Sequence, residues 1–286
     1  IVRHIHTADP AALVKGDTLW LFAGRDQNGN QSGYVMKDWL VFSTTDMKHW
    51  TQYPVPLKVE DFKWAASKQA YAGHVAERNG KYYWYVSTNW CGIGVAVSDK
   101  ITGPYKDALG KPLLTNKDCF DSHHSWACID PAVFVDDDGQ AYLTWGNREC
   151  YIVKLKDNMI ETEGEVKRIH IDESHPFTEA PWIHKHNGKY YLTYASEWPE
   201  KIAYAVADHI EGPYETKGII SEIAGNSNTT HPAIVNFKGQ WIFISHNGGL
   251  PTGTSYSRSI VAEPMEYNAD GSIKPIPPTA EGVKTL

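Results

Sequence analysis

The chain reads as an all-β protein, a five-bladed β-propeller, on three observations. One phrase recurs five times, each copy divides into two strand-like runs around a glycine turn, and no stretch sustains helical periodicity. The copies are "ADPAALVKGDTLWLFAGRD" (Ala8 to Asp26), "AYAGHVAERNGKYYWYVST" (Ala70 to Thr88), "IDPAVFVDDDGQAYLTWGN" (Ile129 to Asn147), "TEAPWIHKHNGKYYLTYAS" (Thr178 to Ser196) and "THPAIVNFKGQWIFISHN" (Thr230 to Asn247). Aligned on the glycine, their leading residues are Asp9, Tyr71, Asp130, Glu179 and His231, spaced 62, 59, 49 and 52 residues apart. A repeat of about 50–60 residues suits a propeller or a solenoid, and the strand-rich content selects the propeller.

Each element follows in order. The two runs around the glycine form a hairpin. A third strand continues each unit: "YVMKDWLVFSTT", "CGIGVAVSD", "YIVKLK", "KIAYAVAD" and "GTSYSRSIVAEP". A turn and a short fourth run come next, and "TGPYKD" at 102–107 and "EGPYET" at 211–216 share that turn. Four antiparallel strands per unit are therefore predicted, with residues 1–286 as one catalytic domain. The ring is expected to close by pairing of the extreme N-terminus with the last blade. First strands line the channel, so rotational equivalence brings the five leading residues to one mouth.

Composition narrows the function. The 286 residues include 11 Trp, 16 Tyr and 8 Phe, a content that suits strands and sites that stack on flat ligands. A net charge of −7 without a Lys/Arg block argues against nucleic acid and anionic membrane as partners. No apolar run approaches the roughly 18–20 residues of a membrane span. The chain opens at Ile1 with neither Met nor a signal pattern, so a mature or trimmed form is expected. Cys91, Cys119, Cys128 and Cys150 lack zinc-like spacing; Cys119 and Cys128 could pair in a secreted protein, or all four could be buried thiols.

Three converging residues are carboxylic: Asp9, Asp130 and Glu179. Clustered carboxyls raise one another's pKa, so one can stay protonated near neutral pH. Glycoside hydrolysis needs such a set, a neutral acid beside an ionised carboxylate. The stretches around these residues resemble the signatures of glycoside hydrolase family 43, as do "ERNGKYYWYVS", "GPYKD", "HPAIV" and "SRSIVAEPMEYNADGSIKPI". The likeness covers essentially the whole chain, in family order. It implies a five-bladed propeller that cleaves α-L-arabinofuranosides or β-xylosides with inversion. Asp9 would be the general base, Glu179 the general acid, and Asp130 would tune and orient Glu179.

The resemblance also implies supporting residues. His231 would help hold a structural calcium ion in the channel, largely through water. Arg258 and Asp26 would lie at the sugar pocket, the arginine as a hydrogen-bonding fork. Trp39, Trp64, Trp90, Trp182 and Trp198 are candidates for stacking on sugar, with Trp39 and Trp64 preferred because they are read as lying in irregular stretches. Asp136–Asp138 form a hairpin turn rather than a calcium loop, and the loop "DCFDSHHSWAC" shapes the rim beside Asp130. Relatives carry Trp-Ala-Pro where this chain has Tyr71-Ala72-Gly73, which is expected to loosen that strand's entry.

The expected activity is exo-acting α-L-arabinofuranosidase on a plant cell-wall oligo- or polysaccharide such as arabinoxylan or arabinan. The alternatives are a β-xylosidase, an endo-arabinanase and a non-catalytic sugar-binding propeller. A lectin would repeat one motif in every blade, whereas these leading residues differ. A secreted or periplasmic location is expected, with the cytoplasm as the alternative.

Overall fold

Alternating apolar residues make strands, and the glycine turns fold them into hairpins. The computed structural model describes residues 1–27, 32–66 and 68–286. It is a five-bladed propeller whose blades follow one another along the chain. The first blade holds β1 (His6–Lys15), β2 (Thr18–Asp26), β3 (Met36–Thr44), β4 (Thr51–Gln52) and β5 (Leu57–Lys58). The second holds β6 (Ala70–Arg78), β7 (Lys81–Thr88), β8 (Gly92–Ser98) and β9 (Lys106–Asp107). The third runs β10 (Ala132–Val135), β11 (Ala141–Trp145), β12 (Tyr151–Leu155) and β13 (Thr162–Arg168). The fourth is β14 (Phe177–His186), β15 (Lys189–Ser196), β16 (Lys201–Ala207) and β17 (Glu215–Ser221). The fifth is β18 (Ala233–Phe237), β19 (Gln240–Asn247) and β20 (Ser259–Met265).

The prediction of four strands per blade needs two corrections. In the first blade the outer edge is split, and the two-residue strands β4 and β5 both pair with β3. The fifth blade has three strands among the described residues. The shared turn phrase keeps its role: Tyr105 Oη donates to Ile101 O and Tyr214 Oη to Ile210 O, each at 2.9 Å, just before β9 and β17 respectively.

Aromatic side chains join one blade to the next. Trp39 Nε1 of the first blade donates to Tyr71 O of the second at 2.7 Å, and Phe22 packs edge-on against Trp84. Trp182 Nε1 of the fourth blade donates to Ile234 O of the fifth at 3.0 Å. Each bond satisfies an indole N–H that burial would otherwise leave costly. The ring closes where Thr7 N donates to Arg258 O at 3.0 Å and the Ile1 ammonium to Ile260 O at 2.9 Å.

Gly73 explains the departure at Tyr71-Ala72-Gly73. A Cβ there would lie 2.7 Å from Trp84 Nε1 and 2.9 Å from Tyr85 O. The indole of Trp84, fully buried, takes the space that a side chain would need. The glycine therefore permits close approach rather than loosening the strand. Gly73→Ala should lower unfolding free energy by about 1–3 kcal/mol through overpacking. Urea denaturation measures this, and an unchanged midpoint would contradict the packing.

Candidate active site

The leading residues gather because the strands are bent where they stand. The β1–β2 register shifts between Ala8 and Ala11, and the β14–β15 register between Glu179 and Trp182. Asp9, Asp130 and Ala180 take left-handed backbone, with φ of 53°, 59° and 59°. A β-bulge re-aims a side chain, and such strain concentrates where a side chain is put to use. Asp9, Tyr71, Asp130 and Glu179 thereby open on one pocket of about 690 Å³. His231, the fifth leading residue, sits below them: its Nδ1 lies 3.8 Å from Asp9 Oδ1 and 4.0 Å from Asp130 Oδ2.

The three carboxyls have different surroundings. Asp9 Oδ1 accepts from Arg258 Nη1 at 3.0 Å, so burial pushes its pKa up while the guanidinium pulls it back. The Asp9 N–H donates to His246 Nδ1 at 3.1 Å, which makes that nitrogen an acceptor and places the ring proton on Nε2, facing Thr229 Oγ1. Asp130 Oδ2 accepts from the Ala180 N–H at 3.1 Å, a bond that pins the bulge beside Glu179. Burial, with Glu179 and Asp9 as like charges, raises Asp130 well above the usual carboxylate range. Glu179 is half-buried, and Asn147 Nδ2 donates to its Oε2 at 2.6 Å. Burial raises its pKa, and this donor opposes the shift. His124 Nε2 lies 2.8 Å from Asn147 Oδ1, which orients the amide.

Arg258 is the one buried lysine or arginine among the described residues. Asp26 accepts from its backbone N–H, its Nε and its Nη2 at 2.8–2.9 Å, and Tyr34 covers its face with the ring centroid 4.7 Å from Cζ. The fork leaves Nη1 for Asp9 and lines the pocket.

The other expected substrate residues require correction. Asp26 is fully buried behind Arg258 and does not line the pocket; it holds the arginine. Trp39 is 1% exposed within β3, where it packs between blades. Trp64 lies in a one-turn 3₁₀ segment (Lys63–Ala65), packs on Phe62 and donates to Asp107, away from the pocket. Trp182 is likewise buried. The indoles that line the pocket are Trp90 and Trp198, 60% and 64% exposed, and Trp126 from the expected rim loop.

Asn147, Tyr34, Glu200 and His246 escaped the sequence reading. A signal existed for two of them: they stand at the ends of the repeated phrases, in "TWGN" and "SHN", as Asp26 does in "FAGRD". These ends return to the same mouth as the leading residues. All four cysteines are free thiols. Among the described residues no group of three or more His, Cys, Asp or Glu side chains is placed to hold a metal ion.

Comparison with known proteins agrees with this geometry. Residues 2–273 match the model of glycosyl hydrolases family 43. The chain is 33% identical to a xylosidase/arabinosidase 43A of Humicola insolens, over 96% of this chain and 97% of that protein. An α-L-arabinofuranosidase structure from Clostridium thermocellum superposes with a TM-score of 0.82 at 36% identity, covering 98% of this chain and 95% of that one. A β-xylosidase/α-arabinofuranosidase from a compost metagenome, solved with xylotriose in a calcium-free form, gives 0.88 at 31%, covering 98% and 97%.

Burial of Asp130 sets a pH test. A carboxyl raised in the fold stabilises the protein below its unfolded pKa, and that contribution is lost as pH rises through the folded value. Asp130→Asn keeps an acceptor for the Ala180 N–H and removes the charge. It should stabilise the protein by about 0.5–2 kcal/mol at pH 7–8, and the gain should shrink below about pH 4. Thermal melts at both pH values decide; a gain independent of pH would contradict the buried-charge account.

Proposed function

This chain belongs to glycosyl hydrolase family 43 and is a glycoside hydrolase, and we propose that residues 1–286 act as an inverting exo-α-L-arabinofuranosidase on arabinoxylan or arabinan. One observation carries the assignment of roles: of the three leading carboxyls that open on the pocket, Asp9 alone is bonded to a cation. Asp9 bears the Arg258 guanidinium, which favours its anion. Glu179 has the neutral Asn147 amide and is raised by burial, which favours its acid. Asp9 takes a proton from water, whose oxygen attacks the anomeric carbon. Glu179 gives its proton to the departing glycosidic oxygen on the opposite face. A separation of about 6.5–9.5 Å leaves room for that water. Asp130 orients Glu179 through Ala180, and Asp9 is the like charge that raises Glu179.

Exo action is supported by the bulky walls. Trp90, Trp126 and Trp198 surround the opening, and indole faces suit the C–H surface of a sugar. A β-xylosidase reading uses the same residues and is favoured by the relatives that carry both names. A secreted or periplasmic site of action fits a polymer substrate.

A calcium ion is proposed at His231. The ring is buried, and burial lowers its pKa to about 3, so the imidazole is neutral as ligation requires. Asp9 Oδ1 and Asp130 Oδ2 lie 3.8 and 4.0 Å from its Nδ1, and such oxygen neighbours suit a calcium ion held largely through water. The ion would brace the channel beneath Asp9 and Asp130.

Two tests follow. On 4-nitrophenyl α-L-arabinofuranoside and β-D-xyloside, the wild type should turn over the former faster, with the inverted anomer as the first product by NMR. Asp9→Asn should lose roughly 10²–10⁴-fold in kcat on either sugar, and Glu179→Gln should lose as much on oligosaccharides but far less on the activated aryl glycoside. Retained sugar binding without turnover would instead identify a lectin. For the metal, calcium added after EDTA treatment should raise the melting temperature of the wild type and not of His231→Ala; equal responses would exclude His231 as a ligand.

A further inference from the structure

Glu200 is a further carboxyl at the pocket and has no part in the mechanism above. It follows β15 in "SEWPE", and its own N–H donates to Asn228 O at 2.9 Å, which ties the segment to the approach to the fifth blade. The side chain has no solvent exposure and yet faces the pocket beside Glu179. Its Oε2 accepts from the Thr230 N–H at 2.8 Å, and its Oε1 meets no donor. Glu179 lines the same pocket, so the unpartnered Oε1 and the Glu179 carboxyl share one space, where each acts on the other as a hydrogen-bond partner. Two carboxyl oxygens can share such a contact only with a proton between them. A buried carboxylate facing another without a cation is too costly to persist, so this pair carries a proton.

We propose that Glu200 is the positioning residue for Glu179: a neutral buried carboxyl whose O–H is donated to the Glu179 carboxylate as that group's own proton leaves. The inference rests on Glu179 being the general acid. Before the reaction both carboxyls are protonated. The Glu179 proton passes to the glycosidic oxygen as the C–O bond breaks, and its carboxylate is left holding the Glu200 O–H. A proton from solvent then restores Glu179. A hydrogen bond that strengthens as charge appears lowers the barrier, because it is worth more in the transition state than in the ground state.

The charged and titratable groups acting on the pair are all at this mouth. Asp9 and Arg258 act on Glu179, Asp130 acts on Glu200, and Glu179 in turn acts on Asp130. Glu200 itself is raised well above the usual carboxylate range, first by burial and then by Glu179. With no solvent exposure, Glu200 keeps its proton, while the half-buried Glu179 is placed to release one.

The test compares Glu200→Leu, Glu200→Gln and wild type on an oligosaccharide and on the 4-nitrophenyl glycoside of the same sugar. Loss of the donor in Glu200→Leu should lower kcat/KM about 10–100-fold on the oligosaccharide and less than about threefold on the aryl glycoside, which needs little protonation. The alkaline limb of its pH–rate profile should move upward, since a donor to the charged form of Glu179 is gone. Glu200→Gln keeps a weaker N–H donor, so both effects should be smaller; it carries the test alone if the leucine variant does not fold. Equal losses on the two substrates, or an unmoved alkaline limb in Glu200→Gln, would overturn the proposal. Glu179→Gln is measured beside them. If that variant fails to spare the aryl glycoside, the acid assignment falls, a result distinct from failure at Glu200.

Discussion

Asp9, Asp130, Glu179 and Glu200 meet at one end of the channel with a single buried guanidinium among them. Each carboxyl gives up hydration to be there, and Arg258 cannot compensate all four. Asp26 occupies three of its donors and Asp9 a fourth. The positive charge is therefore delivered to one side of the pocket. Asp130, Glu179 and Glu200 are left to neutral donors: the Ala180 and Thr230 N–H groups and the Asn147 amide. That asymmetry lets chemically similar groups differ in protonation within one small space. The bulges, the left-handed residues and the buried histidines serve to maintain it.

Much of this could be read in the chain. Five glycine turns in register were enough for the blades, because a hairpin's turn chemistry is local. The leading residues followed from symmetry alone. Tryptophan function was not legible in the same way: Trp39 and Trp90 are the same residue type, yet one lies between two sheets and the other stands at an open rim. Which of these occurs depends on the neighbouring blade, and that packing is non-local. Asp26 illustrates the intermediate case. Its position near the sugar pocket was legible, while its bond to an arginine 232 residues away was not.

Asn147 and His246 carry a lesson about where to look. A blade's first strand enters the mouth and its second strand returns to it, so a hairpin offers two positions per repeat to the same space. Reading only the first position finds the carboxyls proposed to react and overlooks the residues bonded to them. Glu200 falls outside both registers, on a connecting segment, and no periodic argument reaches it.

Asp9 belongs to the first blade and its guanidinium partner to the last, 249 residues apart. The pocket wall is thus completed by the two ends of the ring rather than by adjacent segments. A nascent chain ending before Arg258 would hold Asp9 without its counter-ion, and that part of the pocket wall would be missing. Turnover in this molecule therefore serves as a readout of complete ring assembly, which a local probe of any one blade does not provide.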